Sequence, residues 1–134
     1  MTSHQTRKND PDHVVPVETP RLRLKPKAPT AGRADGAWWP HSGDLTAELP
    51  DLLAVLSVRL GRIERVLYNV NEWATPPRKL FTGGRSVRLD GYQRQPVDTI
   101  EVLGLDAGRL VLEVIPAGEQ PESAHRKLMA AASR

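Results

Sequence analysis

The sequence predicts an α+β domain: a strongly twisted antiparallel sheet of about five or six strands, one main helix packed on a face, and a short C-terminal helix alongside. Three observations carry this expectation. Leu45, Leu49, Leu52, Leu53, Leu56 and Leu60 recur at three- and four-residue spacing, which winds them onto one stripe of a helix. Gly83-Gly84 and Asp106-Ala107-Gly108 each separate two runs of alternating polar and apolar residues, the pattern of a β-hairpin. Pro121 opens a segment in which Ala124, Leu128, Ala131 and Ala132 share a helical face. A small, partly closed barrel is the alternative, because strongly twisted hairpin sheets curl.

Along the chain, residues 1–20 read as a disordered tail that mixes Ser, Thr, Lys, Asn, Asp, His and Pro, with few apolar side chains beyond Val14, Val15 and Val17. Residues 21–134 read as one α+β domain. Arg21-Leu22-Arg23-Leu24-Lys25 alternates with period two and is stopped by Pro26, which suits a short edge strand. Pro26, Pro29, Gly32, Gly36 and Pro40 then make a connection that continues neither regular structure. Asp44 is placed to cap the leucine-rich helix and Gly61 to end it. Pro50 lacks an N–H and its ring crowds the carbonyl of Thr46, so a kink, or a main helix starting near Pro50, is expected.

Ile63 to Val70 is a predicted strand with Val66, Tyr68 and Val70 on a shared face. In the first hairpin the turn sets Leu80 opposite Val87 and Lys79 opposite Arg88. In the second, Thr99 to Leu105 and Arg109 to Ile115 flank the loop, with Val102 facing Leu112, Ile100 facing Val114 and Glu101 facing Glu113. Like charges directly opposed cost about 0.2–1 kcal/mol. Setting the hairpins side by side, with Arg88 opposite Glu101, would relieve both like-charge pairs in an outer row Lys79, Arg88, Glu101, Glu113.

A chain of 134 residues is long enough to bury a core without metal or disulfide help. Its lack of cysteine removes disulfides, thiolate metal sites and thiol nucleophiles together. Apolar runs fall far short of the roughly 20 residues that span a bilayer, and the N-terminus has no apolar signal core, so a cytoplasmic protein without membrane partners is expected. The formal charge of +3 is unevenly spread. Residues 1–34 hold seven Lys or Arg against three acids, a balance of +4, and residues 35–134 hold twelve against thirteen, a balance of −1. The basic character therefore belongs to the N-terminal segment, and nucleic-acid binding by the folded part is not favoured.

The candidate chemistry is sparse. His41, Ser42 and Asp44 stand together, but spacing alone does not make a triad, and Ser and Asp are what a helix start requires. His4, His13, His41 and His125 are scattered without ligand spacing, so neither metal nor cofactor is expected. Glu101 and Glu113 read as part of a charge ladder rather than as an acid–base pair. Gly83-Gly84-Arg85-Ser86 lacks the Lys and the following helix of a phosphate-cradling loop.

The aromatic residues are more informative. Of Trp38 and Trp39, one is expected in the core and the other at a pocket or partner surface, with His41 and Trp73 as neighbours. Phe81 faces outward by parity beside Lys79 and Arg88, as in a nucleotide-stacking platform.

Asp35-Gly36-Ala37-Trp38-Trp39-Pro40, the segment Leu45 to Leu60, Trp73, Gly83-Gly84-Arg85-Ser86-Val87-Arg88-Leu89 and Gly91-Tyr92 together resemble a family of small actinobacterial proteins of unknown function. The resemblance runs from about Arg21 to the C-terminus. It implies a single compact domain and brings no activity, cofactor or partner with it.

These readings favour a non-enzymatic cytoplasmic interaction module, regulatory in character, that binds a protein or a small ligand. Homo-oligomerisation is compatible with it. A nucleic-acid binder using the basic tail, the Arg21-to-Lys25 strand and the Lys79, Phe81 and Arg88 patch is the second reading. A small ligand-binding protein or hydrolase-like enzyme at Trp38, Trp39, His41 and Trp73 is the third.

Overall fold

The computed structural model describes residues 20–25, 34–105 and 108–133. The predicted tail except Pro20, the middle of the first connection, and Asp106 and Ala107 of the second hairpin loop lie outside the described residues. The chain runs β1 (Leu22–Leu24), β2 (Gly36–Trp38), α1 (Leu45–Leu60), β3 (Ile63–Asn69), β4 (Lys79–Thr82), β5 (Arg85–Tyr92), β6 (Thr99–Gly104), β7 (Arg109–Val114) and α2 (Pro121–Ser133). These seven strands form one sheet in the order β1-β2-β7-β6-β3-β5-β4. β1 and β4 are its two edges, so the sheet is open and not a barrel.

The α+β class holds, and the sheet is larger and more mixed than the sequence suggested. Four of its junctions are antiparallel, while β2–β7 and β3–β5 are parallel. β2 supplies the additional strand. Its three residues lie between Gly36 and Pro40, where the sequence reads as irregular, and their extended form is fixed by β1 on one side and β7 on the other. Gly36 is required there, since a Cβ would collide with the carbonyl oxygen of Arg23 on β1.

The Gly83-Gly84 hairpin has the predicted register, with Leu80 opposite Val87 and Lys79 opposite Arg88. Both glycines have positive φ (63° and 75°), as a two-residue turn of this hand demands. The hairpins are not side by side, however. β3 is inserted between them, so Arg88 pairs in register with Arg65, and Glu101 lies opposite Leu67. The second hairpin is also shifted by two residues from expectation: Ile100 faces Leu112, Val102 faces Leu110, and Glu101 faces Val111 instead of Glu113. The shift keeps every inward residue inward, because side chains alternate with period two.

One face of the sheet carries the main core. Trp38, Val66, Tyr68, Leu80, Val87, Leu89, Ile100, Val102, Leu110, Leu112 and Val114 meet Leu45, Leu49, Leu52, Leu53 and Leu56 of α1. Each of these leucines gains roughly 1.5–3 kcal/mol gross from burial. α1 is continuous through Pro50, capped by the Asp44 carboxylate, which accepts from the Thr46 N–H, and closed by Gly61 at φ 75°. In β3 a bulge between Ile63 and Arg65 resets the alternation, so Ile63 and Val66 are both buried, and Val70 leaves the strand with 37% exposure instead of joining Val66 and Tyr68.

α2 sits on the opposite face, at the β1–β2 edge. Ala37 and Trp38 point to opposite sides of β2. Trp38 enters the main core, whereas Ala37 joins Ile115, Ala124, Leu128 and Ala131, with Trp39 packed against them. The C-terminal helix therefore lies across the sheet from α1 instead of beside it. The rest of that second face, over β6, β3, β5 and β4, is left without a covering helix among the described residues.

Candidate binding face

The tryptophan and histidine element is built into the fold. Trp38 is 2% exposed and stacks on Trp73 with ring centroids 5.8 Å apart and planes 19° apart. Trp39 is half-buried, and Arg21 clamps it. The guanidinium carbon lies 3.6 Å from the ring centroid, while Nε and an Nη donate to the carbonyls of Trp39 and Pro40 at 3.0 and 2.8 Å. The Trp39 indole N–H points to the Ala117 carbonyl at 3.4 Å. His41, Ser42 and Asp44 are occupied with starting α1. The His41 backbone N–H and the Ser42 hydroxyl both donate to the Glu48 carboxylate, at 2.9 and 2.8 Å, and the Ser42 Oγ accepts from the Asp44 N–H. The His41 Nδ1 lies 3.6 Å from the same carboxylate, so His41 and Ser42 both turn to Glu48 at the start of α1.

The three remaining candidates are brought together. Lys79 and Phe81 on β4 lie opposite Arg88 and Ser86 on β5, with all four side chains on the uncovered face of the sheet. Phe81 is 75% exposed. The structure adds residues that the sequence did not single out. Arg65 lies beside Arg88 across the parallel β3–β5 pairing, and Arg62 and Arg85 join them around an open cleft of about 530 Å³ that Glu64 and Ser86 also line. This corner of the molecule holds five cations (Arg62, Arg65, Lys79, Arg85, Arg88) against two acids, Glu64 and Asp90.

Asp90 organises the cations. Its carboxylate takes the Arg65 Nε at 2.8 Å and an Arg88 Nη at 3.5 Å, and Arg65 reaches the Tyr92 hydroxyl at 3.4 Å. The hydrogen bond to Asp90 shifts the Arg65 guanidinium upward, deeper into its charged range. Farther across the same face, Leu67 on β3, Leu103 on β6 and Val111 on β7 are half-buried, and the Arg109–Glu101 pair, 3.0 Å apart, lies among them.

The acids gather away from this corner. Glu72 accepts the Asp98 backbone N–H at 2.7 Å, and burial, assisted by the Asp98 charge, pushes its carboxyl above the ordinary carboxylate range. Asp98 itself holds a φ of 57°, unusual for a residue with a Cβ. Nearby, the buried Asn69 donates to the Gln95 carbonyl at 2.7 Å, and Gln95 reaches Thr99 and Glu101. Among the described residues no group of three or more His, Cys, Asp or Glu is placed to hold a metal ion. None of their helices is long and apolar enough to cross a membrane.

Alternation with Val66 and Tyr68 sets Arg65 on the outer face already in the sequence, but only the pairing of β3 with β5 brings it beside Arg88. Arg62 and Arg85 become relevant only once β3 and β5 are known to be parallel neighbours, which places both strand starts at the same end of the sheet. No curated protein and no solved structure matches the chain significantly. The pattern of one family, described only as a family of unknown function (DUF5994), matches residues 21–132, from the first strand to the end of the second helix, and the chain belongs to that family.

Proposed function

We propose that the protein is a non-enzymatic binding module whose anionic partner docks on the uncovered sheet face at the β3–β5–β4 corner. The observation that carries this reading is the grouping of five cations around an exposed Phe81 and an open cleft, drawn from residues 35–134, whose overall balance is −1. An exposed phenylalanine among guanidinium groups is costly to solvate, and it becomes favourable when a partner covers it. The engagement of Ser42, Asp44 and His41 in the start of α1 supports the non-enzymatic part. A cytoplasmic location accords with a cysteine-free chain.

Site-specific photo-crosslinking tests the reading. A crosslinker at Phe81 should give a discrete adduct in cells carrying the protein, and one at Val58, 82% exposed on α1, should not. The paired substitutions Lys79→Glu and Arg88→Glu should abolish the adduct while leaving the circular-dichroism melt unchanged. Equal adducts at the two positions, or insensitivity to charge reversal, would place the partner elsewhere.

A further inference from the structure

Resting on that reading of the face, we infer that its occupant is a single-stranded nucleic acid, with a backbone phosphate seated in the arginine cleft and a base stacked on Phe81. The cleft supplies the phosphate chemistry. Guanidinium is a planar fork that takes phosphate oxygens two at a time, and Arg62, Arg65, Arg85 and Arg88 all line one opening. Asp90 uses the Nε of Arg65 and an Nη of Arg88, and a guanidinium has five N–H groups, so both keep donors for a ligand while their side chains are held in position. The positions are set before binding, which lowers the ordering cost of the complex.

Phe81 supplies the second half. It lies directly opposite Ser86, which lines the cleft, and next in sequence on the same face comes the Lys79–Arg88 pair. A sheet presents such rings flat to the solvent, and a base has a π-face whatever its identity. Along β5, Tyr92 lies six residues beyond Ser86 on the same side, about 20 Å at the usual strand rise, and is 46% exposed. Asp90 stands between Arg88 and this ring on the same side, so the track runs from the cleft across to Phe81 and does not extend along β5 to Tyr92. A duplex would bury its base faces and leave Phe81 without a partner, and an acidic peptide would satisfy the cations without using the ring. The acids at Glu72, Asp98, Glu101 and Glu113 lie toward the other end of the strands and repel phosphates there, which confines the track to the β4–β5 side.

The test is fluorescence anisotropy on the full chain with labelled strands of about 12 nucleotides. Four probes are compared: a single-stranded oligonucleotide, its duplex, an abasic phosphodiester strand of equal length, and polyglutamate. The single strand should bind tightest, with a log–log salt slope of about −0.7 per contacted phosphate. Phe81→Ala should weaken it between about 5- and 150-fold, Phe81→Tyr should restore it, and the abasic strand should respond to neither change. Arg62→Ala should weaken both strands alike and reduce the slope by about 0.7. Indifference to Phe81→Ala, polyglutamate binding as tight as the single strand, or no binding to any probe would overturn the assignment. A Phe81 crosslink that persists in cells alongside such a result would leave the binding face standing with a different anionic partner. Loss of both would remove the face as well.

Discussion

Trp38 and Trp39 are neighbours in sequence and separate in structure, because consecutive residues of a strand face opposite sides of the sheet. Trp38 lies under α1 against Trp73; Trp39 lies under Arg21 against the α2 cluster. Trp38→Ala should lower the unfolding free energy by about 3–5 kcal/mol, since the cavity would open at the centre of the main core. Trp39→Ala should cost less, about 1–2 kcal/mol, in proportion to its partial burial and its contact with Arg21. Denaturant titration of both variants checks the order. Glu72 gives a residue-scale prediction about pH. Its carboxyl is shifted up in the folded state, so the fold binds that proton more tightly than the unfolded chain does. The protonated form therefore favours folding below the unfolded pKa, and that advantage is lost as pH rises through the folded pKa. Glu72→Gln keeps an acceptor for the Asp98 N–H and removes the charge, so it should be more stable than the parent at neutral pH and should lose that lead in acid. Thermal melts across the carboxylate range measure it.

At the scale of elements, α1 is held by its leucine stripe despite Pro50. Proline there removes the bond to the Thr46 carbonyl, yet the helix runs unbroken from Leu45 to Leu60 because five buried leucines outweigh one missing bond. Pro50→Ala should restore that bond and raise the unfolding free energy by about 1 kcal/mol or more, read from the urea midpoint at constant m-value. The helix and both hairpins were legible in the sequence, since their signals are local: Leu49 and Leu53 are one turn apart, and Gly83-Gly84 supports a positive-φ turn wherever it occurs. β2 was not legible. A strand of three residues has too few positions to show alternation, and Ala37 and Trp38 are buried on opposite faces, so no alternation of apolar with polar residues exists to be read.

For the whole molecule, the decisive step is the placement of β3 between β5 and β6. It replaces the expected Arg88–Glu101 neighbours with Arg65, Arg88 and Asp90 on one side and Arg109 with Glu101 on the other. A double-mutant cycle on Arg88 and Glu101 should therefore show no coupling, while Arg65 and Asp90 should couple by up to about 1 kcal/mol, less at high salt. The same placement separates charge. The count along residues 35–134 is nearly balanced, and that balance spoke against an anionic partner. In the fold, cations from β3, β4 and β5 meet at one corner, and the Glu72–Asp98 contact and Glu113 lie away from it.

The sequence alone determined the α+β class, the capped leucine helix, the first hairpin's register and the outward aim of Lys79, Phe81 and Arg88, because each follows from periodicity or turn chemistry within a few residues. The tertiary structure decided which strands are neighbours, which of the two tryptophans enters the main core, and where Arg62, Arg65 and Arg85 meet Arg88. Those outcomes depend on pairings between strands far apart in the chain. Alternation with period two marks which face a residue takes and leaves open which strand lies beside it.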